Sequence, residues 1–99
     1  MDISELEENA TKASDLLKVM ANQSRLMIMC NLLQGEMSVQ QLQSAVGLSQ
    51  SALSQQLAVL RGNHLVTTRR EAQSVYYSLA SDEASTLIGT LYDLYCNRD

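Results

Sequence analysis

No proline, tryptophan or phenylalanine occurs in the chain, and glycine appears only four times. Absent proline, the strongest helix breaker is missing, and 45% of residues are hydrophobic. That composition belongs to a helix-rich folded domain and excludes a disordered segment. There is no phosphate-cradling Gly-rich loop. Two cysteines stand far apart, which excludes a structural disulfide framework and any CxxC motif. The single histidine, His64, has no second soft ligand at metal spacing and no paired nucleophile, so neither metal binding nor catalysis has a basis in the sequence. No apolar run approaches the roughly 18 residues needed to span a membrane. The opening MDISELEENA is too acidic and polar for a signal peptide. The expectation is one cytoplasmic domain over residues 1–99, without cofactor, metal or membrane contact.

Positive charge is also scarce. Seven Lys and Arg against eleven Asp and Glu give a net charge of −4. As a sum this opposes nucleic-acid binding, but the distribution matters more. Asp2, Glu5, Glu7, Glu8 and Asp15 crowd the N-terminal segment. From Met37 to Arg70 there is no acid, and Arg61, Arg69 and Arg70 fall in that stretch. An acidic chain arranged in this way can carry a locally basic face.

The hydrophobic pattern divides the chain into helices and one hairpin. A first helix is expected from about Ser4 to Met20, with Ser4 as cap and Leu6, Ala10, Ala13, Leu17 and Met20 on one side. A second follows Asn22, with Leu26, Met29, Cys30 and Leu33 as its buried stripe and Gly35 near its end. Ser38-Val39-Gln40-Gln41 has the capping-box pattern and opens a short third helix, closed by a turn at Gly47. Ser49 then caps a fourth helix to about Arg61, with Leu53, Leu57 and Leu60 inward and Ser51, Ser54, Gln55 and Ala58 outward. Leu65 to Arg70 and Ser74 to Leu79 are β-rich runs separated by a hairpin turn, the second placing Tyr77 inside and Tyr76 outside. Ser81 or Asp82 caps a last helix carrying Leu87, Ile88, Leu91, Leu94 and Tyr95. The order α-α-α-α-β-β-α is that of a mainly α winged helix-turn-helix with a β-hairpin wing, whose terminal helices are free to build a homodimer.

The fourth helix carries the functional signal. Surface helices usually show Lys and Glu outward; this one shows Ser and Gln, which can hydrogen-bond base edges in a major groove. Ser49, Gln50, Ser51, Ser54, Gln55 and Gln56 are the candidate readers, with Arg61 at its end. The bland alternative is an ordinary solvated face. Arg69 and Arg70, near the hairpin tip, would touch phosphates or a minor groove; alternatively they guard an exposed edge strand. His64 is a phosphate contact or a plain loop residue. Cys30 sits on a core stripe, where cysteine usually serves as a small hydrophobe. Cys96 lies off the stripe of the last helix, near its end, which suits a reactive thiol. Whether the two could be joined is a matter for the fold.

LLKVMANQSRLMIMCNLL, MSVQQLQSAVGLSQSALSQQLAVLR and LVTTRREAQSVYYSL together resemble the ArsR/SmtB family of bacterial repressors, over about Leu16 to Cys96. The resemblance implies a winged-helix homodimer that binds a pseudo-palindromic operator in double-stranded DNA and releases it when an inducer acts. Metal sensors of that family carry a Cys-x-Cys-type motif where this chain has Ser38 and Gln40, and others use His ligands on the last helix, which has none here. What remains resembles the family's sulfur-sensing branch, the HlyU-like group above all, with Cys30 and Cys96 at both cysteine positions. Where the family usually has a His before the Leu of S-x-H-L, this chain has Gln56. The resemblance thus implies a regulator, associated with the nucleoid through DNA, whose grip is released when organic persulfides or oxidants link Cys30 to Cys96 as a disulfide or polysulfide. Alternatives are an anti-silencing activator with inert thiols, a metal-responsive repressor, and a protein-interaction module without DNA.

Overall fold

The computed structural model describes residues 2–96. Helix α1 (Ile3–Met20) is capped by Asp2, whose carboxylate accepts the Glu5 N–H at 2.8 Å. The cap thus lies two residues before the expected Ser4. A carboxylate at that position satisfies an orphan donor and also faces the positive end of the helix dipole. Asn22 caps α2 (Gln23–Leu32) by accepting the Arg25 N–H at 3.0 Å.

The next elements run as the sequence expects, with one addition. Met37–Ser38 form a two-residue strand, β1, immediately before α3 (Val39–Val46). The Ser38 hydroxyl accepts the Gln41 N–H at 3.1 Å, and the Gln41 side chain accepts the Ser38 N–H at 2.9 Å, so the capping box is formed reciprocally. Gly47 closes α3 at φ 70°, a left-handed conformation that glycine adopts without a Cβ clash. Ser49 caps α4 (Gln50–Gly62). The hairpin strands are β2 (Val66–Glu71) and β3 (Ser74–Leu79), joined by Ala72 and Gln73, and Ser81 caps α5 (Asp82–Tyr95). The sheet order is β1-β3-β2, antiparallel throughout, with Met37 opposite Tyr77, Ser38 opposite Tyr76 and Arg69 opposite Tyr76.

The core is built from Met20, Ile28, Met29, Leu32, Leu42, Val46, Leu53, Leu57, Leu60, Leu65, Val66, Ala84 and Ile88. The inward set of α4 is as expected. The α2 stripe is not: Ile28, Met29 and Leu32 are buried, whereas Leu26, Cys30 and Leu33 are half-buried beside them. Helix α2 packs on α3, α4 and β3 as well as α5, so two neighbouring strips of its surface are covered to different depths. On α1, only Met20 is buried, with Leu16 and Val19 half-buried. Leu6, Ala10, Ala13 and Leu17 are exposed, because this helix docks through its C-terminal turns alone. Ile3, Leu6 and Leu17 on α1 and Leu94 and Tyr95 on α5 are large apolar side chains that the protomer leaves exposed.

Candidate nucleic-acid interface and cysteine pair

The helix-turn-helix is held by local bonds at each junction. The Ser49 hydroxyl accepts the Ala52 N–H at 3.2 Å and fixes the start of α4. From that start, Gln50, Ser51, Ser54 and Gln55 are all exposed, with Ala58 and Arg61 continuing the same open side. A helix face of hydroxyls and primary amides, backed by Leu53, Leu57 and Leu60 in the core, presents both donors and acceptors at fixed positions. Gln56 does not share that face. It is half-buried and its Oε1 accepts the Arg25 Nη1–H at 2.9 Å. The Arg25 Nε–H bonds to the carbonyl of Val19, so one guanidinium joins the end of α1, the start of α2 and the middle of α4. No local pattern announces this bond, because its partners are brought together only by the fold.

His64 is exposed, with φ 62°, in the turn between α4 and β2. In the hairpin, strand alternation sends Arg69 and Arg70 to opposite faces. Arg70 shares its face with Val75 and Tyr77, the face turned to the α4 side of the domain. Arg69 stands on the outer face. Its Nε and Nη2 hold both oxygens of Glu36 at 3.0 and 2.7 Å, and its Nη1 holds Glu71 at 2.6 Å. Its guanidinium also stacks 4.7 Å from the centre of the Tyr76 ring. The hydrogen bond from Arg69 holds the Glu36 carboxyl below its usual range, and the two carboxylates push the guanidinium further up. The two acids that bracket the acid-free stretch thus fold back onto one of its arginines. Counting charges in sequence alone could not place them there.

The cysteines lie on helices that pack together. Cys30 is half-buried on α2, and Cys96 is exposed at the C-cap of α5, its N–H bonded to the Tyr92 carbonyl at 2.8 Å. Burial pushes the Cys30 thiol up, and the charge of a neighbouring Cys96 thiolate pushes it further. Both are free thiols. Among the described residues, no three His, Cys, Asp or Glu side chains converge as metal ligands would, and no helix is long and apolar enough to cross a membrane.

Comparison with known proteins agrees with this architecture. Residues 22–68 match the model of the bacterial regulatory proteins of the arsR family. The chain is 54% identical over 96 residues to the transcriptional activator HlyU of Vibrio cholerae, covering 97% of this chain and 89% of that protein. It is 47% identical over 91 residues to the biofilm growth-associated repressor of Agrobacterium fabrum, covering 92% and 78%. A solved structure of reduced HlyU from Vibrio cholerae superposes with a TM-score of 0.91, covering 95% of this chain and 99% of that one. A winged helix-turn-helix with an outward Ser/Gln face, matched along nearly its whole length by such relatives, belongs to the arsR family of bacterial regulatory proteins: the chain is a DNA-binding transcriptional regulator and not an enzyme.

Proposed function

We propose that the protein is a homodimeric regulator whose DNA binding is switched off when Cys30 and Cys96 of one chain become linked. The observation that carries the reading is the placement of the two free thiols on helices that pack together, Cys30 half-buried on α2 and Cys96 exposed at the end of α5. An organic persulfide, RS–SH, would transfer its outer sulfur to one thiolate and leave as RS⁻. The second thiolate would attack the protein-bound sulfur of the new persulfide, release HS⁻ and form the disulfide. If a second persulfide sulfurates the other cysteine as well, attack of one Cys–S–S⁻ on the inner sulfur of the other Cys–S–SH, with loss of HS⁻, would give a trisulfide bridge.

The exposed apolar side chains of α1 and α5 support dimerisation through these helices. Between them lies a groove of about 300 Å³ lined by Leu17, Met20, Leu26, Leu87 and Leu91, which a second copy would fill. A bond between α2 and the end of α5 then acts on the dimer contact. Small changes of helix position there are amplified at the two distant α4 helices. In this reading Ser49, Gln50, Ser51, Ser54 and Gln55 meet bases or phosphates, and Arg61, His64 and Arg70 lie beside the duplex. The test is a gel shift with Cys30→Ser and Cys96→Ser proteins, with and without organic persulfide. Wild type should release DNA on treatment and both variants should hold it. Release by both variants would remove the thiol switch.

A second reading keeps DNA binding and drops the switch. The relative named a transcriptional activator favours it, as does the half-burial of Cys30. Intact mass after persulfide treatment separates the two, since inert thiols gain no sulfur and lose no hydrogen.

A further inference from the structure

We infer that Glu36 and Glu71 mask Arg69, so that Arg69 orients the wing and does not contact DNA, leaving Arg70 as the wing's free cation. The inference rests on the chain's DNA binding and concerns which charges contribute to it.

Three N–H groups of Arg69 are committed to carboxylate oxygens at 2.6–3.0 Å, and its flat face is committed to Tyr76. The pairing with Glu36 is bidentate, the geometry that gives an arginine a fixed direction. Summed, the cluster of one guanidinium and two carboxylates has a charge of −1, where the sequence suggested +1. The guanidinium bridges the segment before β1 to the hairpin, from Glu36 to Glu71, and so fixes the tilt of the hairpin on the body of the domain. Arg70, one residue on, has no carboxylate partner among the described residues and projects from the opposite face. Among the described residues, few other cations are available near the readers. Arg25 is committed to Val19 and Gln56, while Lys12 and Lys18 lie on α1; Arg61 remains in the last turn of α4. Contact with the phosphates therefore rests on few charges, and two carboxylates hold back one more.

Counterion release makes this measurable, because log K falls with log salt at a slope of about −0.9 per neutralised phosphate. The experiment uses the full chain and a duplex that the wild-type protein selects from a random pool. Fluorescence anisotropy is measured over a range of salt for wild type, Arg70→Gln and the double variant Glu36→Gln with Glu71→Gln. For a dimer, Arg70→Gln should flatten the slope by about 2. The double variant should steepen it by about 2 and bind about tenfold tighter or more at ~0.1 M salt, as both copies of Arg69 are freed. Far-ultraviolet circular dichroism and the unfolding midpoint establish that each variant is folded, and Glu36→Gln alone, which keeps the Glu71 pair, gives a smaller change of the same sign. An unchanged or flatter slope in the folded double variant would overturn the masking while leaving DNA binding intact. Selection of no duplex by wild type would overturn the DNA-binding reading as well.

Discussion

Replacing Gln56 separates a base-reading role from a structural one. Its Oε1 accepts a hydrogen bond at 2.9 Å from Arg25, in a half-buried position on the inner flank of α4. A hydrogen bond to a charged group contributes about 1.5–3 kcal/mol when well shielded. Partial exposure reduces this, so Gln56→Ala should cost about 1–2 kcal/mol. Arg25→Met keeps the apolar stem but removes both this bond and that to the Val19 carbonyl, for about 2–4 kcal/mol in all. In the double variant the losses should fall short of their sum by about 1 kcal/mol, the coupling of the pair. Urea unfolding at one fixed protein concentration measures all four corners of the cycle, the fixed concentration being needed because a dimer's stability depends on it. DNA affinity at a temperature where every variant is folded should change little. The reasoning fails if Gln56→Ala leaves the urea midpoint unmoved while abolishing DNA binding. That outcome would make Gln56 a reader, as the sequence alone suggests.

Two further perturbations follow from backbone and thiol chemistry. Ala72 sits in the hairpin turn at φ 55°, a region costing an L-residue about 1–2 kcal/mol; Ala72→Gly should relieve more than the unfolded chain gains in entropy and raise stability by about 0.5–1 kcal/mol, read as a higher melting temperature. Alkylation by iodoacetamide at neutral pH, followed by peptide mass mapping, should label exposed Cys96 before half-buried Cys30. Because the folded Cys30 thiol is raised, its neutral form persists to higher pH than in the unfolded chain, so its labelling should rise only above the usual thiol range; equal rates at the two sites near neutrality would contradict the burial assigned to Cys30.

The helix-turn-helix was legible because its signals are local. Ser38 with Gln41, Gly47, and Ser49 with Ala52 act within one turn of their own positions, and the Leu53-Leu57-Leu60 spacing identifies the inner face of α4 without knowledge of the neighbours. Strand β1 was not legible. Two residues, Met37 and Ser38, have no periodicity to read, and they are a strand only because Tyr77 and Tyr76 lie opposite them. The role of Arg69 was hidden for a related reason, since Glu36 is 33 positions away and is aligned with it by that same sheet. The α1 stripe shows what periodicity leaves open, since a shared side need not be a side buried in the protomer. Amphipathicity marks every apolar surface that becomes covered, in the protomer or in an assembly, and Leu6 and Leu17 are not covered within one chain.

The short strand β1 has a mechanical consequence. It hydrogen-bonds the entrance of α3 into the same ladder as the hairpin, while Leu42, Leu53 and Leu57 lock α3 to α4 through the core. Helix-turn-helix and wing are therefore tied together twice, through the ladder and through the core. A strain entering through α2 and α5 has little freedom to deform that tied unit and is transmitted as a change in the span between the two units of the proposed dimer. Linking the cysteines should then leave recognition of a single half-site intact and shift the preferred spacing between half-sites, so that the operator is lost by geometry with each reading surface unchanged.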